Sequence, residues 1–540
     1  MTRRAVVANG VVIALIVVAY ASTVNNYFIQ DDFGVVWLLS QKSATYFPQW
    51  FVSNWMDNIW GYTPDEVRPF PAVSYQIAAV FGAGVPFANH VINIALHAGT
   101  ALLVVQVALH AADLGLPAAA LAGILFGLFP NQAETAAWIT GRVDSMPALF
   151  YVASFVTYVR WRKSTGAGPR LYAWSVFWCV VALLSKQTAI TLGPALVLYD
   201  VIVARRPIAF TWQWLRPYIP FACMTAGYLG LRYALFGELA RESALTMTGT
   251  SDFLYNAAHH LMRIVMGAER RDGIGGQAVA VALAALLLAW AAGAFRQGPD
   301  RSRRGRVGLY FGVVWTVLGL LPTIVSTYTS PRHAYLASIG WALTVGIACD
   351  TIWRARANRV VGVAAWVGAA ALLVAYAVQL RLTVIDWNLR AVMSQKAVVD
   401  LERIAMDVPD GTLIVAGVSP DAWRFALPFA ASPPFATTNL TQRVSVISGA
   451  SLYCCAVSQW DAYTRERLRT WLSRPGQVPV IAMHWDQPSG ALTYLSDAHD
   501  PSLRTLIVLL LESGDFTALD ANILRLTNDF VPYHARAVRQ

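Results

Sequence analysis

Charged residues are scarce in this sequence of 540 residues. Asp, Glu, Lys and Arg make up only 13% of it, whereas soluble globular proteins carry about 25%. The sequence also lacks a Walker phosphate loop, the Cys/His spacing of metal sites, internal repeats and low-complexity tracts. Its five cysteines are too few for a disulfide-rich scaffold. These absences exclude an ordinary cytosolic enzyme and argue against an ATP-driven pump.

Apolar residues are abundant instead. The hydrophobic set makes up 56% of the chain, and the aromatic residues include 20 Trp, which suits long membrane interfaces. The net charge is +10, but residues 381–540 hold 14 basic and 15 acidic residues, so the basic excess lies in residues 1–380. This placement indicates membrane orientation rather than nucleic-acid binding. The sequence therefore predicts a polytopic α-helical membrane protein.

Eleven segments are apolar over roughly the 20 residues that a membrane-spanning helix needs. Arg and Lys cluster before the first segment and after the fourth, sixth, eighth and tenth, which all fall on one side. By the positive-inside rule that side is the cytoplasm, and the N-terminus lies there. The predicted spans are 5–23, 88–111, 117–131, 144–161, 171–185, 188–204, 214–235, 276–295, 308–328, 334–353 and 360–380.

The long segments 24–87, 236–275 and 381–540 fall on the opposite side of the membrane. We divide the chain into a membrane domain, 1–380, and a C-terminal domain, 381–540, on the outer face. Apolar runs and amphipathic patterns predict a small α/β fold for this second domain. Its predicted strands lie at 413–415 and 478–481, its helices at 461–473 and 516–527, and its adjacent Cys454 and Cys455 are either a disulfide or two thiols.

Charged residues near the span ends converge on the outer side. Charges at membrane depth are costly, so this shared placement indicates a site. Carboxylates can move protons, and guanidinium or ammonium groups can hold phosphate. The pattern is typical of a site for a phosphorylated, lipid-borne substrate. Five connections contribute to it, with Asp31 and Asp32; Asp65, Glu66 and Arg68; Glu134, Arg142 and Asp144; Lys186; and Arg332 and His333.

Structural alternatives exist for several of these residues. Glu134 and Arg142 could pair only with each other, and Lys186 could extend to lipid headgroups. His90 and His97 share one helix face. A metal site would need further ligands from elsewhere, so interhelical hydrogen bonding is the favoured interpretation for these two histidines.

Four blocks of residues, within about 25–345, carry a resemblance to a known family. They are Arg68-Pro69 with His90, Asn93 and Leu96-His97; Phe129-Pro130 to Glu134 with Ala136 to Ile139 and Gly141 to Asp144; Leu184 to Thr188 with Leu198 to Asp200; and Arg332 to Leu336 with Ser338 to Gly340. With the acidic pair Asp31-Asp32, they resemble the C-superfamily (GT-C) of polytopic glycosyltransferases. More narrowly, they are similar to the membrane domain of the transmembrane and tetratricopeptide-repeat O-mannosyltransferases.

The chain departs from this family in three respects. Phe129 stands where the family has histidine, and Gln187 stands where it has glutamate beside the lysine. The tetratricopeptide repeats that follow the membrane domain in the relatives have no counterpart, since residues 381–540 take their place. The donor sugar and the acceptor therefore stay open.

The resemblance implies a GT-C fold and an inverting, mannosyltransferase-like glycosyltransferase. The donor would be a sugar on a polyprenyl phosphate in the membrane lipid, and the acceptor a hydroxyl of a protein, glycan or lipid. No cofactor is required, although a divalent metal, Mg or Mn, at the two aspartates stays open. The implied roles are proton acceptance by Asp31 or Asp32, donor-phosphate binding by Arg68, Arg142, Lys186, Arg332 and His333, and support by Glu134, Asp144, His90, His97 and Tyr335.

Two other functions are weighed against this enzyme. A transporter or flippase for lipid-linked saccharides predicts ionisable residues at mid-depth and an inverted repeat. An assembly factor predicts no chemical role for the acidic pair. The high Ala, Val and Arg content favours a bacterial inner membrane, with the C-terminal domain in the periplasm.

Overall fold

The computed structural model is predominantly helical. It describes residues 2–59, 66–82, 85–164, 168–240, 250–267, 278, 281–283, 285–286, 299–325, 330–355, 359–417, 426–448, 468–473, 479–486, 489–494 and 505. Numbered within this described part, the α-helices are α1 (Arg3–Tyr20), α2 (Asp32–Ser40), α3 (Pro69–Gly82), α4 (Pro86–His110), α5 (Leu116–Gly127), α6 (Gln132–Ala137), α7 (Arg142–Lys163), α8 (Gly168–Leu183), α9 (Leu192–Leu198), α10 (Trp212–Leu215), α11 (Ile219–Phe236), α12 (Thr250–Met266), α13 (Pro299–Ile324), α14 (Tyr335–Ala355), α15 (Arg359–Asp407) and α16 (Leu427–Ala430).

Several helices have the length and hydropathy of membrane spans. Within the described residues, five meet both criteria, and two shorter apolar helices cover Leu116–Gly127 and Gln187–Val203. Each predicted span overlaps helical residues, although the helix within 117–131 ends at Gly127 and only six residues of 276–295 are described. The chain is thus an integral membrane protein, while the count of eleven spans stays a prediction. The five helices are Arg3–Thr23, Pro86–His110, Gly305–Ile324, Pro331–Arg354 and Arg359–Asp407.

The helices pack around a first hydrophobic core that joins α1, α4, α5, α7, α8, α13, α14 and α15. Small residues let α13 and α14 approach closely. A side chain at Gly319 would lie 2.7 Å from the Cα of Ala337, and one at Gly340 would lie 2.6 Å from the backbone nitrogen of Thr316. Such small-residue contacts are typical of membrane helix pairs. They fix the turn between the two helices, which carries Arg332.

Helix α15 continues well past the end of the last predicted span at residue 380. It has 49 residues, or about 74 Å at 1.5 Å per residue, whereas the hydrocarbon core of a bilayer is about 30 Å thick. No proline or glycine interrupts it after residue 380, so the helix propagates. The division that the sequence suggested at this residue therefore falls inside a continuous helix.

A four-stranded sheet follows this helix. Strands β1 (Leu413–Gly417), β2 (Ser445–Ser448), β3 (Val480–Asp486) and β4 (Ala491–Tyr494) lie in the order β2-β1-β3-β4. The pairs β1–β2 and β1–β3 are parallel and β3–β4 is antiparallel. Strands β1 and β3 overlap the two segments predicted from the sequence. Of the predicted elements, residues 461–467, residues 516–527, Cys454, Cys455 and the loop residue Asp65 lie outside the described residues.

The sheet shares a second hydrophobic core with the segment that carries the acidic pair. Ala397 and Leu401 of α15 and Ile414 of β1 belong to one cluster with Phe33 of α2. The ring of Phe435 lies 4.4 Å from the ring of Phe33. The C-terminal region is therefore packed directly behind the acidic pair.

Candidate functional site

Residues 128–144 form the connection around which the site is built. Helix α6 and a short 3-10 turn, Ile139–Gly141, lead from α5 into α7. A side chain at Gly141 would lie 2.6 Å from the carbonyl oxygen of Glu134, so only glycine permits this fold of the chain. The connection places Glu134 in the first turn of α6 and Asp144 in the first turn of α7.

Four charged side chains from three connections meet here, and we call them the Arg332 cluster: Glu134, Asp144, Lys186 and Arg332. The Lys186 amine donates to Asp144 Oδ1. The Arg332 guanidinium donates to Glu134 Oε1, and its Nε lies 3.4 Å from Asp144 Oδ2. Ser330 Oγ and the Arg332 backbone nitrogen also donate to Glu134, at 2.7 Å and 3.1 Å. Glu134 and Asp144 therefore orient the two cations.

Arg68 lies next to this cluster. Its guanidinium pairs with Glu66 at 2.5 Å, and both side chains are buried. The Phe70 backbone nitrogen donates to the Leu184 carbonyl oxygen at 3.4 Å, which brings this segment to the turn of Lys186. Burial lowers the pKa of the Lys186 amine to about 8, Asp144 raises it, and the charge of Arg68 lowers it further.

A cavity opens beside the cluster. It is a cleft of about 340 Å³ when the open space at its mouth is included, and it is partly open to the surroundings. Both polar and apolar residues line it, so a ligand with a charged group and an apolar chain would find partners for both. Its walls include Asp144, Arg332, His333, Tyr335, Pro147 and Leu336.

The two aspartates of the acidic pair have different settings. Asp32 is buried; its Oδ1 accepts hydrogen bonds from the Thr140 backbone nitrogen and Oγ1, at 3.0 Å and 2.7 Å, and its Oδ2 accepts one from the Ile29 backbone nitrogen at 3.0 Å. Burial raises the pKa of the Asp32 carboxyl to about 7, against the lowering effect of these bonds. Asp31 is only partly buried. Asp32 thus fixes the turn, and Asp31 is the more accessible carboxylate.

The donors around Asp32 do not fit a resident metal ion. Three N–H and O–H groups occupy its oxygens, whereas Mg²⁺ and Mn²⁺ need free oxygen ligands in near-octahedral geometry. Within the described residues, no group of three or more His, Cys, Asp or Glu side chains is placed to hold a metal.

Trp138 connects the acidic pair to the Arg332 cluster. Its indole nitrogen donates to the Ile29 carbonyl oxygen at 3.1 Å, and the Arg332 guanidinium carbon lies 5.1 Å from the centre of its ring. This role of Trp138, like those of Thr140 and Ser330, was not predicted from the sequence. The sequence offered only the position of Trp138 within a motif block, of Thr140 beside one, and of Ser330 close to Arg332.

Arg142 has a setting that does not suit the predicted binding of phosphate. It is fully buried, and its guanidinium donates to the side chains of Asn93, Ser74 and Asn89 and packs against the Tyr75 ring. These bonds tie α3 and α4 to α7. Arg142 does not pair with Glu134 either, because Arg332 occupies that carboxylate. In this geometry Arg142 acts on the packing of helices, and its binding of the donor phosphate stays a prediction.

The predicted histidines hold neighbouring segments together. His90 Nε2 lies 3.1 Å from the Asn26 carbonyl oxygen. The two ring nitrogens of His97 lie 2.8 Å from the Tyr335 hydroxyl and 3.0 Å from the Gly127 carbonyl oxygen. The favoured interpretation of interhelical hydrogen bonding is confirmed for His97. Tyr335 also lines the cavity, as does His333.

A second ionic cluster, the Asp200 cluster, surrounds a carboxylate of the third motif block. One oxygen of the fully buried Asp200 accepts from the Tyr158 and Tyr218 hydroxyls at 2.8 Å and 2.6 Å. The same oxygen accepts from Arg162 and Arg206 at 2.5 Å and 3.3 Å. Asp200 lies in a π-helical turn, Tyr199–Val203, that follows α9.

No protein-family profile matches the chain. In sequence it is similar to the human Protein O-mannosyl-transferase TMTC4, with 29% identity over 176 residues that cover 28% of this chain and 23% of TMTC4. It is also similar to Protein O-mannosyl-transferase Tmtc2 of Drosophila melanogaster, with 29% identity over 203 residues that cover 35% of this chain and 21% of the relative. The chain thus matches less than a quarter of the length of these relatives.

In structure the chain is similar to ArnT from Cupriavidus metallidurans, solved bound to undecaprenyl phosphate. The TM-score is 0.52 at 15% identity, and the match covers 88% of this chain and 93% of that chain. The chain has a GT-C fold. It is related in sequence to the TMTC O-mannosyltransferases, so the resemblance predicted from the motif blocks is confirmed.

Proposed function

We propose that this GT-C protein is a glycosyltransferase that moves a sugar from a polyprenyl-phosphate donor to an acceptor hydroxyl. The observation that carries the proposal is the largely buried Arg332 cluster beside a cavity with both charged and apolar walls. Two further findings support it. ArnT, which shares the fold, was solved with undecaprenyl phosphate, and the sequence relatives are named O-mannosyltransferases.

The donor phosphate binds at Arg332, with Lys186 and Arg68 supplying further positive charge. Arginine matches phosphate oxygens with parallel N–H donors. Leu336 and Pro147 in the cavity wall accommodate the first apolar part of the lipid. Glu134 and Asp144 hold the two cations in place, so little reorganisation is needed when the phosphate arrives.

The acceptor hydroxyl loses its proton to the Asp31 carboxylate. Its oxygen attacks the anomeric carbon of the sugar, and the bond from that carbon to the phosphate oxygen breaks. The electron pair goes to the leaving polyprenyl phosphate, which gains one negative charge beside Arg332 and Lys186. Asp32 keeps Asp31 in position through its bonds to Thr140 and Ile29. A single displacement of this kind inverts the anomeric configuration.

The donor sugar is proposed by analogy with the sequence relatives. Mannose is the first donor sugar to test, because both named relatives are mannosyltransferases. The acceptor is a protein, glycan or lipid hydroxyl, and the C-terminal region behind the acidic pair helps to position it. The site faces the periplasm in a bacterial inner membrane, as the distribution of Arg and Lys predicts.

The test is sugar transfer in membranes from radiolabelled polyprenyl-phosphate mannose, glucose and arabinose. Asp31→Asn and Asp32→Asn are compared with wild type at equal abundance. We expect Asp31→Asn to lower transfer about 10²–10⁴-fold, the usual contribution of a general base. Asp32→Asn places an amide donor against the N–H of Ile29 or Thr140, so it also lowers stability. Turnover of none of the donors, with donor binding intact, would favour transport or assembly.

A further inference from the structure

Helix α12 brings a histidine to one side of the Arg332 cluster. His260 is fully buried, and its ring centre lies 5.8 Å from that of His333, the residue after Arg332. The Asn131 amide donates to the Arg263 carbonyl oxygen at 3.0 Å, and the Asn256 amide donates to the Ile324 carbonyl oxygen, also at 3.0 Å. These bonds hold α12 against the connections that carry Glu134 and Arg332.

Neither ring nitrogen of His260 has a hydrogen-bond partner in the described part of the chain. A buried polar group without a partner costs free energy, and such groups persist where a ligand supplies the missing partner. Burial, followed by the charges of Arg263 and His259, lowers the pKa of His260 to about 4. The ring is therefore neutral at pH 7 and presents one N–H donor.

The charges around His260 favour an anion. Arg263 and His259 face it on α12, and His333 faces it from the turn between α13 and α14. The charges of Arg332, Lys186 and Arg263 also act on His333, so cations lie on this side of the Arg332 cluster. A phosphate oxygen is both negatively charged and a strong hydrogen-bond acceptor.

We propose that His260 donates a hydrogen bond to the phosphate of the polyprenyl-phosphate donor and is thus a binding residue of the site. The inference rests on the proposed function and adds α12, which lies within the predicted outer segment 236–275, to the site. As the carbon–oxygen bond to the sugar breaks, the phosphate gains a negative charge. The hydrogen bond from His260 then strengthens, because a bond to a more charged acceptor is stronger.

The test is binding of a polyprenyl monophosphate to the purified full chain in detergent. His260→Leu removes the donor, whereas His260→Gln retains an N–H group. We expect about tenfold weaker binding for His260→Leu and affinity within threefold of wild type for His260→Gln. His110→Leu is the matched control, because His110 lies beside Arg160 and Lys163 at the far end of α4; we expect it to bind as wild type does. Binding of the uncharged polyprenol should be the same for all of them.

Thermal unfolding separates binding from folding. His260→Leu removes an unpaired buried polar group, so we expect its Tm to equal or exceed that of wild type. Equal affinity of wild type and His260→Leu, with Arg332→Gln weakened, would overturn this inference alone. Failure of wild type to bind the polyprenyl monophosphate at all would overturn the proposed function and this inference with it.

Discussion

Helix α7 contributes to an ionic cluster with a buried carboxylate at each of its ends. Asp144 in its first turn belongs to the Arg332 cluster, and Arg162 in its last turn pairs with Asp200. At 1.5 Å per residue, these two side chains are attached about 27 Å apart along the helix, close to the thickness of the hydrocarbon core. The two clusters therefore lie at opposite ends of the predicted span 144–161.

The two clusters differ in whether their charged side chains contact only other residues of the chain or also line a cavity. In the Asp200 cluster, two tyrosines and two arginines of the chain converge on one carboxylate oxygen. In the Arg332 cluster, Asp144 and Arg332 contact each other and also line the cavity. Four donors of the chain itself occupy one oxygen of Asp200, although its other oxygen has no partner in the described part of the chain. This cluster therefore clamps helices together, whereas one that borders a cavity can accept a ligand.

The largest expected effect is on catalysis at the Arg332 cluster. Arg332→Gln removes a donor to the developing phosphate charge, and we expect sugar transfer to fall about 10²–10³-fold. The double variant Glu134→Gln/Arg332→Gln restores charge balance, so its stability should recover while its activity does not. Transfer at the wild-type rate by the double variant would assign this cluster a structural role like that of Asp200.

The next effect is on stability at the Asp200 cluster. Asp200→Asn removes the charge that two arginines share, and we expect the free energy of unfolding to fall by about 3 kcal/mol. Transfer by the folded fraction should stay within twofold of wild type. Thermal unfolding in detergent, combined with activity per folded molecule, measures both. A large loss of activity without a loss of stability would contradict a purely structural role of the Asp200 cluster.

A smaller effect depends on pH. Because the pKa of Lys186 is lowered to about 8, its positive charge is present below pH 8 and is lost above it. We expect binding of polyprenyl monophosphate to weaken about tenfold between pH 7.5 and pH 9, following the charged fraction. Lys186→Arg keeps its charge over this range, so its binding should be nearly flat. The same pH profile in both proteins would show that Lys186 does not act through its charge.

The smallest effect separates the members of the Asp200 cluster. Tyr218→Phe removes one of four donors to the carboxylate, and we expect a loss of about 1 kcal/mol in the free energy of unfolding. Activity should be unchanged. A change in transfer rate with unchanged Tm would indicate a catalytic link between the two ends of α7.

Much of the fold follows from hydropathy and charge. The length of the apolar segments predicted the helices. The placement of Glu134, Lys186 and Arg332 on one side of the membrane predicted that they share a site. The continuation of α15 past residue 380 was not predictable, because the amphipathic part after the span resembles a separate helix. The shared core of Phe33 and Phe435 depends on tertiary packing, which a local pattern does not contain.

The charged residues of the site were predictable from the sequence, but the pairs that they form were not. Sequence alone could not decide whether Glu134 pairs with Arg142 or Arg332, because both lie near the same span ends. In the structure Arg142 donates hydrogen bonds to Asn89 and Asn93, and Arg332 pairs with Glu134. The difference between Asp31 and Asp32 also needed the structure, since Thr140 lies 108 residues away along the chain.

The most direct test of this account is the affinity of a polyprenyl monophosphate for three purified proteins, namely wild type, Glu134→Gln/Arg332→Gln and Asp200→Asn. We predict at least about tenfold weaker binding for the charge-balanced double variant and wild-type binding for Asp200→Asn despite its lower Tm. Equal affinity in all three proteins would contradict the assignment of the Arg332 cluster as the donor-phosphate site.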